Sequence, residues 1–313
     1  MSTPLQVTAW ADANQLQMLE RARATGLIDY IGIGSPDADA ATELARTLDV
    51  PKLDDLRAAL IEGDHDIAWI AARDALNTDA RNAIRSGSRP VATSTLPPEP
   101  VLQLLEEDDN GLPAELVPQM RQSPGFLSAT GALEELGHIE CIHISMTSGQ
   151  EQSSPWARLY DAMDVILHLL GEPDELFAVH AGPRPIQPDV LAGLDGHFSL
   201  AMRCPNRSTA TIVVSDGGGT WDRRMLILGA EGRLIIDDHT AQWTTLDGNS
   251  EASDSNAPEN STDAGQLIAE QLQRIVEQVA EPDAPGTSGR VLRLCETARL
   301  SCLTGQAETV NEL

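Results

Sequence analysis

The sequence predicts an α/β protein in two parts: a doubly wound parallel sheet, then an open, mostly antiparallel β-sheet with helices on one face. Three observations predict it. Short apolar runs alternate with helical patterns of roughly ten residues through the first third of the chain, the rhythm of a parallel sheet with crossover helices. Alternating strands joined by glycine-rich or polar turns then take over. Two amphipathic helical segments close the chain. The change of rhythm at Pro113 places the boundary between residues 1–112 and 113–313, and 313 residues suffice for two cores.

In order, "LQVTAW" is a strand and Asn14 to Ala24 a helix; "DYIGIG" is a strand, followed by a helix from Asp37 to Leu48. "LDDLRAALIE" carries Leu53, Leu56, Ala59 and Leu60 at helical spacing. "DIAWIAA" is a buried strand, "TDARNAIRSG" a helix ending at Gly87, and "PVATST" a fourth strand. In the second part, "IECIHISMTS" alternates as a strand and "WARLYDAMDVILHLLGEP" is a helix stopped by Gly171 and Pro173. "LFAVHAG", "GHFSLAMRC", "STATIVVSD", "RRMLILGAEGRLIIDD" and "AQWTTL" supply the second sheet. The acidic run "DGNSEASDSNAPENSTDAG" is expected to be a mobile surface loop. "GQLIAEQLQRIVEQVA" and "GRVLRLCETARLSCLTG" are the closing helices, and no internal repeat is found.

Composition narrows the function. The net charge of −27 repels nucleic acid and anionic membranes, and acidity of this kind serves solubility, as in a salty habitat. Lys52 is the only lysine, so nearly all positive charge is arginine. Cys141, Cys204, Cys295 and Cys302 show no CxxC spacing, which argues against zinc or a disulfide framework. Cys295 and Cys302 fall on the expected buried face of the last helix. His138, Glu140, Cys141 and His143 cluster in sequence, but strand alternation sends Glu140 to the face opposite Cys141 and His143, so no metal site is expected. "SDGGGT" joins strands instead of opening a helix, and His180, His197 and His239 stand singly. There is no basic leader before an apolar run and no membrane-length apolar stretch, so a cytoplasmic location is expected.

The ordered phrases "YIGIGSPDADAATELARTLDVPKLDDLRAAL", "DIAWIAARDALNTDARNAIRSGSRPVATSTLPPEP", "GALEELGHIECIHISM", "YDAMDVILHLLGEPDELFAV", "RRMLILGAEGRLIID" and "ETARLSCLTGQAETV" together resemble the glucose–fructose oxidoreductase (Gfo/Idh/MocA) family over nearly the whole chain. The resemblance implies a Rossmann-like domain joined to an open-sheet domain, oxidation or reduction of sugars and cyclitols with NAD(P), and homo-oligomers that pair through the second sheet.

The family's functional positions are altered. Its glycine-rich turn falls on Ala11, Ala13 and about Leu16, with Asp12 placing a carboxylate where two phosphates would sit; Asp12 also suits the cap of the following helix. The ribose-binding acid falls on Ser35, and the third-strand positions on Ala72, Arg73 and Asp74. Gly32 and Gly34 are read as close strand–helix packing. The fourth-strand lysine falls on Thr95, which has no acidity near neutral pH, and Lys52 is topologically distant. On the long helix the family's polar positions fall on Ala157, Asp161 and Asp164, with His168 further along. Asp161 and Asp164 either face the cleft, as contacts to sugar hydroxyls, holders of a cation or a base, or form a solvated face opposite Met163, Leu167 and Leu170. Arg121 matches a family arginine that contacts substrate or neutralises carboxylates.

Two functions are therefore expected in competition. One is a catalytically degenerate relative that takes no cofactor and keeps a cleft for a small sugar- or polyol-like ligand, or serves as partner subunit to a homologous enzyme. The other is an active NAD(P)-dependent oxidoreductase with non-standard cofactor contacts. The catalytic candidates are Thr95, Asp161 and Asp164, the cofactor-facing positions Ala11, Asp12, Ala13, Ser35, Ala72 and Arg73, and the substrate positions Arg121, Asp161, Asp164 and His168.

Overall fold

The structure is a computed structural model that describes residues 3–107, 112–149, 151–152, 154–187, 189–254, 264–277 and 287–310. Among these, the strands form two sheets. The first is built from β1 (Leu5–Trp10), β2 (Ile28–Gly34), β3 (Ile67–Ile70), β4 (Val91–Thr93) and β5 (Glu115–Leu116), in the order β2-β1-β3-β4-β5. Every pairing in it is parallel. Its strands read as continuous apolar runs because both faces are covered.

A 3-10 turn at Ala13–Gln15 leads into α1 (Leu16–Ala24). Then come α2 (Ala38–Leu48), α3 (Leu56–Glu62), α4 (Thr78–Ser86) and α5 (Val101–Glu107). Polar caps fix three of the starts: Asp37 accepts from the amide of Ala40, Asp55 from Arg57 and Ala58, and Asn77 from Ala80. One face of the sheet buries Val7, Ile28 and Trp69 with Leu19 and Leu44; the other buries Trp10 and Ile70 with Leu60, Leu76 and Ile84. Helix α5 and strand β5 were not expected from the sequence. With β5 the first sheet reaches beyond the expected 112/113 boundary.

After the short helices α6 (Pro124–Ser128) and α7 (Thr130–Glu135), β6 (Ile139–Thr147) enters the second sheet and α8 (Pro155–Leu170) lies across it. The other strands are β7 (Glu175–Ala181), β8 (His197–Arg203), β9 (Thr209–Ser215), β10 (Asp222–Gly229), β11 (Gly232–Asp237), β12 (Thr240–Thr245), β13 (Ser250–Asp254) and, late in the chain, β14 (Glu308–Thr309). Their order is β13-β12-β11-β10-β6-β9-β8-β7-β14, antiparallel except for the parallel pair β6–β9. Helices α9 (Ala264–Val276) and α10 (Thr287–Thr304) complete the order.

Two expectations change here. Residues 250–254 of the anticipated loop pair with β12 as an edge strand, because backbone hydrogen bonds need no apolar side chains; residues 255–263 of that loop lie outside the described residues. Helix α9 packs on α1 of the first sheet, where Gly265 meets the backbone so closely that a Cβ would stand 2.7 Å from the carbonyl oxygen of Met18. On α10, Cys295 is fully buried and Cys302 only partly. Among the described residues no helix is long and apolar enough to cross a membrane.

Candidate functional site

The candidate site lies at the carboxyl ends of the first sheet's strands, where open α/β sheets place ligands, and faces α8 and β10. It has an outer mouth, at the ends of β1, β2 and β3, and an inner recess between the two sheets.

Hydrogen bonds among its own residues lace the mouth. The Asp12 Oδ2 accepts a hydrogen bond from the backbone amide of Arg73 at 2.9 Å. Gln15 donates through Nε2 to the Ala71 carbonyl at 2.9 Å, and its Oε1 accepts from the Asp12 amide at 2.9 Å. Gln15 thus closes the cap that the sequence assigned to Asp12, while the Asp12 carboxylate ties the first turn to the end of β3. Burial raises the Asp12 pKa above the usual carboxylate value, opposed by the Arg73 amide and guanidinium and reinforced by Asp74. Asp74 itself adopts a left-handed backbone, φ 59°.

At the end of β2 the Trp10 ring lies over Gly34, so close that a Cβ there would stand 2.0 Å from the ring. Gly32 packs on Leu53, whose amide bonds to Ile33. These glycines do serve close packing, as expected, although the partners are a strand-end tryptophan and an extended segment instead of a helix. Ser35 is buried and its Oγ accepts weakly from the Asp37 amide at 3.4 Å. Ala11 and Ala72 are fully buried, whereas Ala13 is exposed.

The recess begins at the end of β4. Thr95 is buried; its amide donates to Thr93 Oγ1 at 3.2 Å and its hydroxyl turns to the Leu96 carbonyl at 3.4 Å. Ser94 Oγ accepts from the Trp69 indole at 2.9 Å. Lys52 pairs with Asp54 at 3.0 Å, in a segment bridged to β2 and remote from β4.

Helix α8 supplies the opposite wall. Asp161 is 3% exposed and both its oxygens are engaged: Oδ1 accepts from the Met120 amide and Oδ2 from Arg223, each at 2.8 Å. Arg223 also donates to Asp238 through Nε at 2.8 Å and to the Pro118 carbonyl at 2.8 Å. Asp238 in turn accepts from the Trp221 indole at 2.8 Å. Burial pushes the Asp161 pKa up, and the Arg223 charge and the Met120 amide pull it back.

Asp164 is held separately by Arg121, at 2.5 Å from Nε and 3.3 Å from Nη2. His168 Nδ1 lies 3.5 Å from Arg121. The structure therefore brings Arg121, Asp164 and His168 together, and sets Asp161 in a different network. Both aspartates are buried, so the solvated-face alternative is overturned.

Four residues of the recess went unnoticed in the sequence: Arg158, Trp221, Arg223 and Asp238. Arg158 offered a signal, being an arginine one turn before Asp161 on a largely buried helix. The others are joined to α8 only by the fold.

This architecture is the two-domain fold of the Gfo/Idh/MocA oxidoreductases. Similar solved structures are an oxidoreductase from Agrobacterium radiobacter in complex with NAD+, L-tartaric acid and magnesium (TM-score 0.70, 15% identity, 99% of each chain) and levoglucosan dehydrogenase with NADH and levoglucosan (TM-score 0.70, 14% identity, 99% of this chain and 100% of that one). A putative myo-inositol dehydrogenase from Sinorhizobium meliloti is also similar (TM-score 0.64, 18% identity, 98% of this chain and 99% of that one). No protein-family model matches the sequence, and no curated protein matches it significantly.

Proposed function

We propose that this chain is a catalytically degenerate relative of the sugar and polyol dehydrogenases that share its fold, and that it uses the recess between its sheets to bind a small polar ligand. The Asp12–Arg73 bond carries this reading. A dinucleotide held in the family's manner needs free amides and a close backbone approach at the first turn. Here a carboxylate stands at that turn, and Trp10 covers the end of β2. These residues do not fit NAD(P), and no reaction step is assigned to it. Thr95, turned to a backbone carbonyl, supplies no acid–base group.

In this reading two domains, split near residue 112 except that β5 and α9 join the first, flank the recess. Arg121, Asp164 and His168 line its approach, and the cytoplasm is the working compartment. The outward Phe177, Val179 and Leu228 on the second sheet support self-association or docking on a homologous enzyme subunit. The alternative, an active NAD(P)-dependent sugar or cyclitol dehydrogenase, is favoured by the Agrobacterium and levoglucosan neighbours, whose structures hold NAD+ or NADH.

Thermal-shift titration separates the two. A bound molecule stabilises by RT ln(1 + [L]/Kd), about 2.7 kcal/mol at a hundredfold excess over Kd. The degenerate reading expects no shift with NADH or NADPH and a saturable shift with a small polar ligand; a coenzyme shift followed by turnover of a polyol would replace it with the alternative.

A further inference from the structure

Arg158 is the unexplained group of the recess. It is 2% exposed, and its Nε, Nη1 and Nη2 atoms all lack a hydrogen-bond partner. Its guanidinium lies over the Trp221 ring, 4.4 Å from the centroid. Stacking leaves the guanidinium's N–H groups, which lie in its own plane, unsatisfied, and an unsatisfied buried donor is costly.

The recess that Arg158 lines, with Ser94, Pro118, Asp161, Trp221 and Arg223, has free space of only about 10 Å3, room for roughly one water. It admits one small polar group and excludes a whole sugar ring. Its hydrogen-bonding character is one-sided. The oxygens of Asp161, the carbonyl of Pro118 and the oxygens of Asp238 beside them are already committed to Arg223, Trp221 and the Met120 amide. What remains is a set of donors on Arg158 and the Ser94 hydroxyl. A ligand hydroxyl brings a proton that must compete for acceptors already engaged, whereas a carboxylate offers acceptors alone in the planar shape that a guanidinium matches with two parallel bonds.

Charge sets the limit. Arg158 and Arg223 balance Asp161 and Asp238, and Asp216, whose Oδ2 has no partner, adds one further negative charge nearby. The formal sum of these groups is negative before any ligand enters, so an anion is held here only by direct pairing with the Arg158 guanidinium, and a phosphate dianion is excluded.

We propose that Arg158 anchors the carboxylate of a small monocarboxylic acid in this recess, so that the ligand is an organic acid instead of a neutral polyol. This rests on the reading of the recess as a ligand site. Burial and the Arg223 charge push the Arg158 pKa down to about 9, which leaves it protonated near neutrality and ready to pair. The carboxylate comes either from a simple acid or from the acid end of a hydroxylated chain.

The test is calorimetric and thermal-shift titration of the full chain with sodium formate, acetate, glycerate and gluconate. Sodium chloride at matched ionic strength, glycerol, sorbitol and inorganic phosphate serve as comparisons. We expect saturable binding of at least one carboxylate, weakened about tenfold or more in Arg158→Met, with the free variant no less thermostable than the parent. Preference for formate and acetate identifies a simple acid; preference for glycerate or gluconate identifies the hydroxylated one.

Failure of every carboxylate to bind overturns the proposal, as does unchanged affinity in the variant or equal binding of chloride. Binding of glycerol or sorbitol with the same dependence on Arg158 overturns it while leaving the ligand-site reading intact. Binding of NADH with none of these ligands overturns that reading instead. Should Arg158→Met fail to fold, a crystal of the parent chain soaked in the tightest acid decides: oxygens within hydrogen-bond reach of the guanidinium support the assignment, and the acid found elsewhere ends it.

Discussion

Asp12 and Arg73, on the first and third loops of the parallel sheet, are joined by a 2.9 Å hydrogen bond from the Arg73 amide to the Asp12 carboxylate. With the Gln15–Ala71 bond it ties the turn after β1 to the end of β3. A charged acceptor contributes roughly 1.5–3 kcal/mol to such a bond, set against the cost of burying it.

Replacing Asp12 by Gly removes this tie without restoring chemistry. The variant is expected to lose protection of the Arg73 amide in hydrogen exchange and to show no NAD(P)-dependent turnover, because Thr95 and the other positions are unchanged. Measurable turnover in this single variant contradicts the assignment.

The raised Asp12 pKa gives a signed pH dependence. A carboxyl whose folded pKa lies above its unfolded value near 3.8 binds its proton more tightly in the folded state. Its stability contribution is therefore present below the unfolded pKa and lost as pH rises through the folded one. Asp12→Asn keeps an acceptor for the Arg73 amide and cannot ionise. Relative to the parent it should gain stability between pH 4 and pH 7, read as the difference in urea midpoints; a gain that shrinks with pH contradicts this.

Arg223 holds two buried carboxylates at once, Asp161 and Asp238. Arg223→Met should cost about 3–5 kcal/mol in denaturant unfolding, because both acids lose their partner in a buried setting. A loss under about 1 kcal/mol would mean that the network is looser than its geometry.

Gly34→Ala should destabilise by about 1–3 kcal/mol through overpacking against the Trp10 ring. Pairing it with Trp10→Ala should recover part of that loss, read as a favourable coupling in a double-mutant cycle. Additive losses would separate the two residues.

The long strands and helices were legible because their apolar residues repeat at strand or helix period, as in β1, α2 and α8. Helices α6 and α7 and strands β5, β13 and β14 were not: each is six residues or fewer, too short for a period to show. The α6 start rests on one capping bond to Ser123, and β13 on backbone pairing alone. The altered mouth was legible because Ala11, Asp12 and Ala13 lie consecutively in one turn. The recess was not, because Arg158, Trp221, Arg223 and Asp238 come from α8, the residue before β10, β10 itself and the turn after β11, and Arg223 alone spans 62 residues to reach Asp161. No local window contains such a contact.

The most direct measurement is a crystal structure of this chain grown with saturating NADH. The account predicts that the Asp12–Arg73 and Gln15–Ala71 bonds persist and that no coenzyme density lies beside residues 11–16. A dinucleotide seated there, with Asp12 swung away from Arg73, would contradict it.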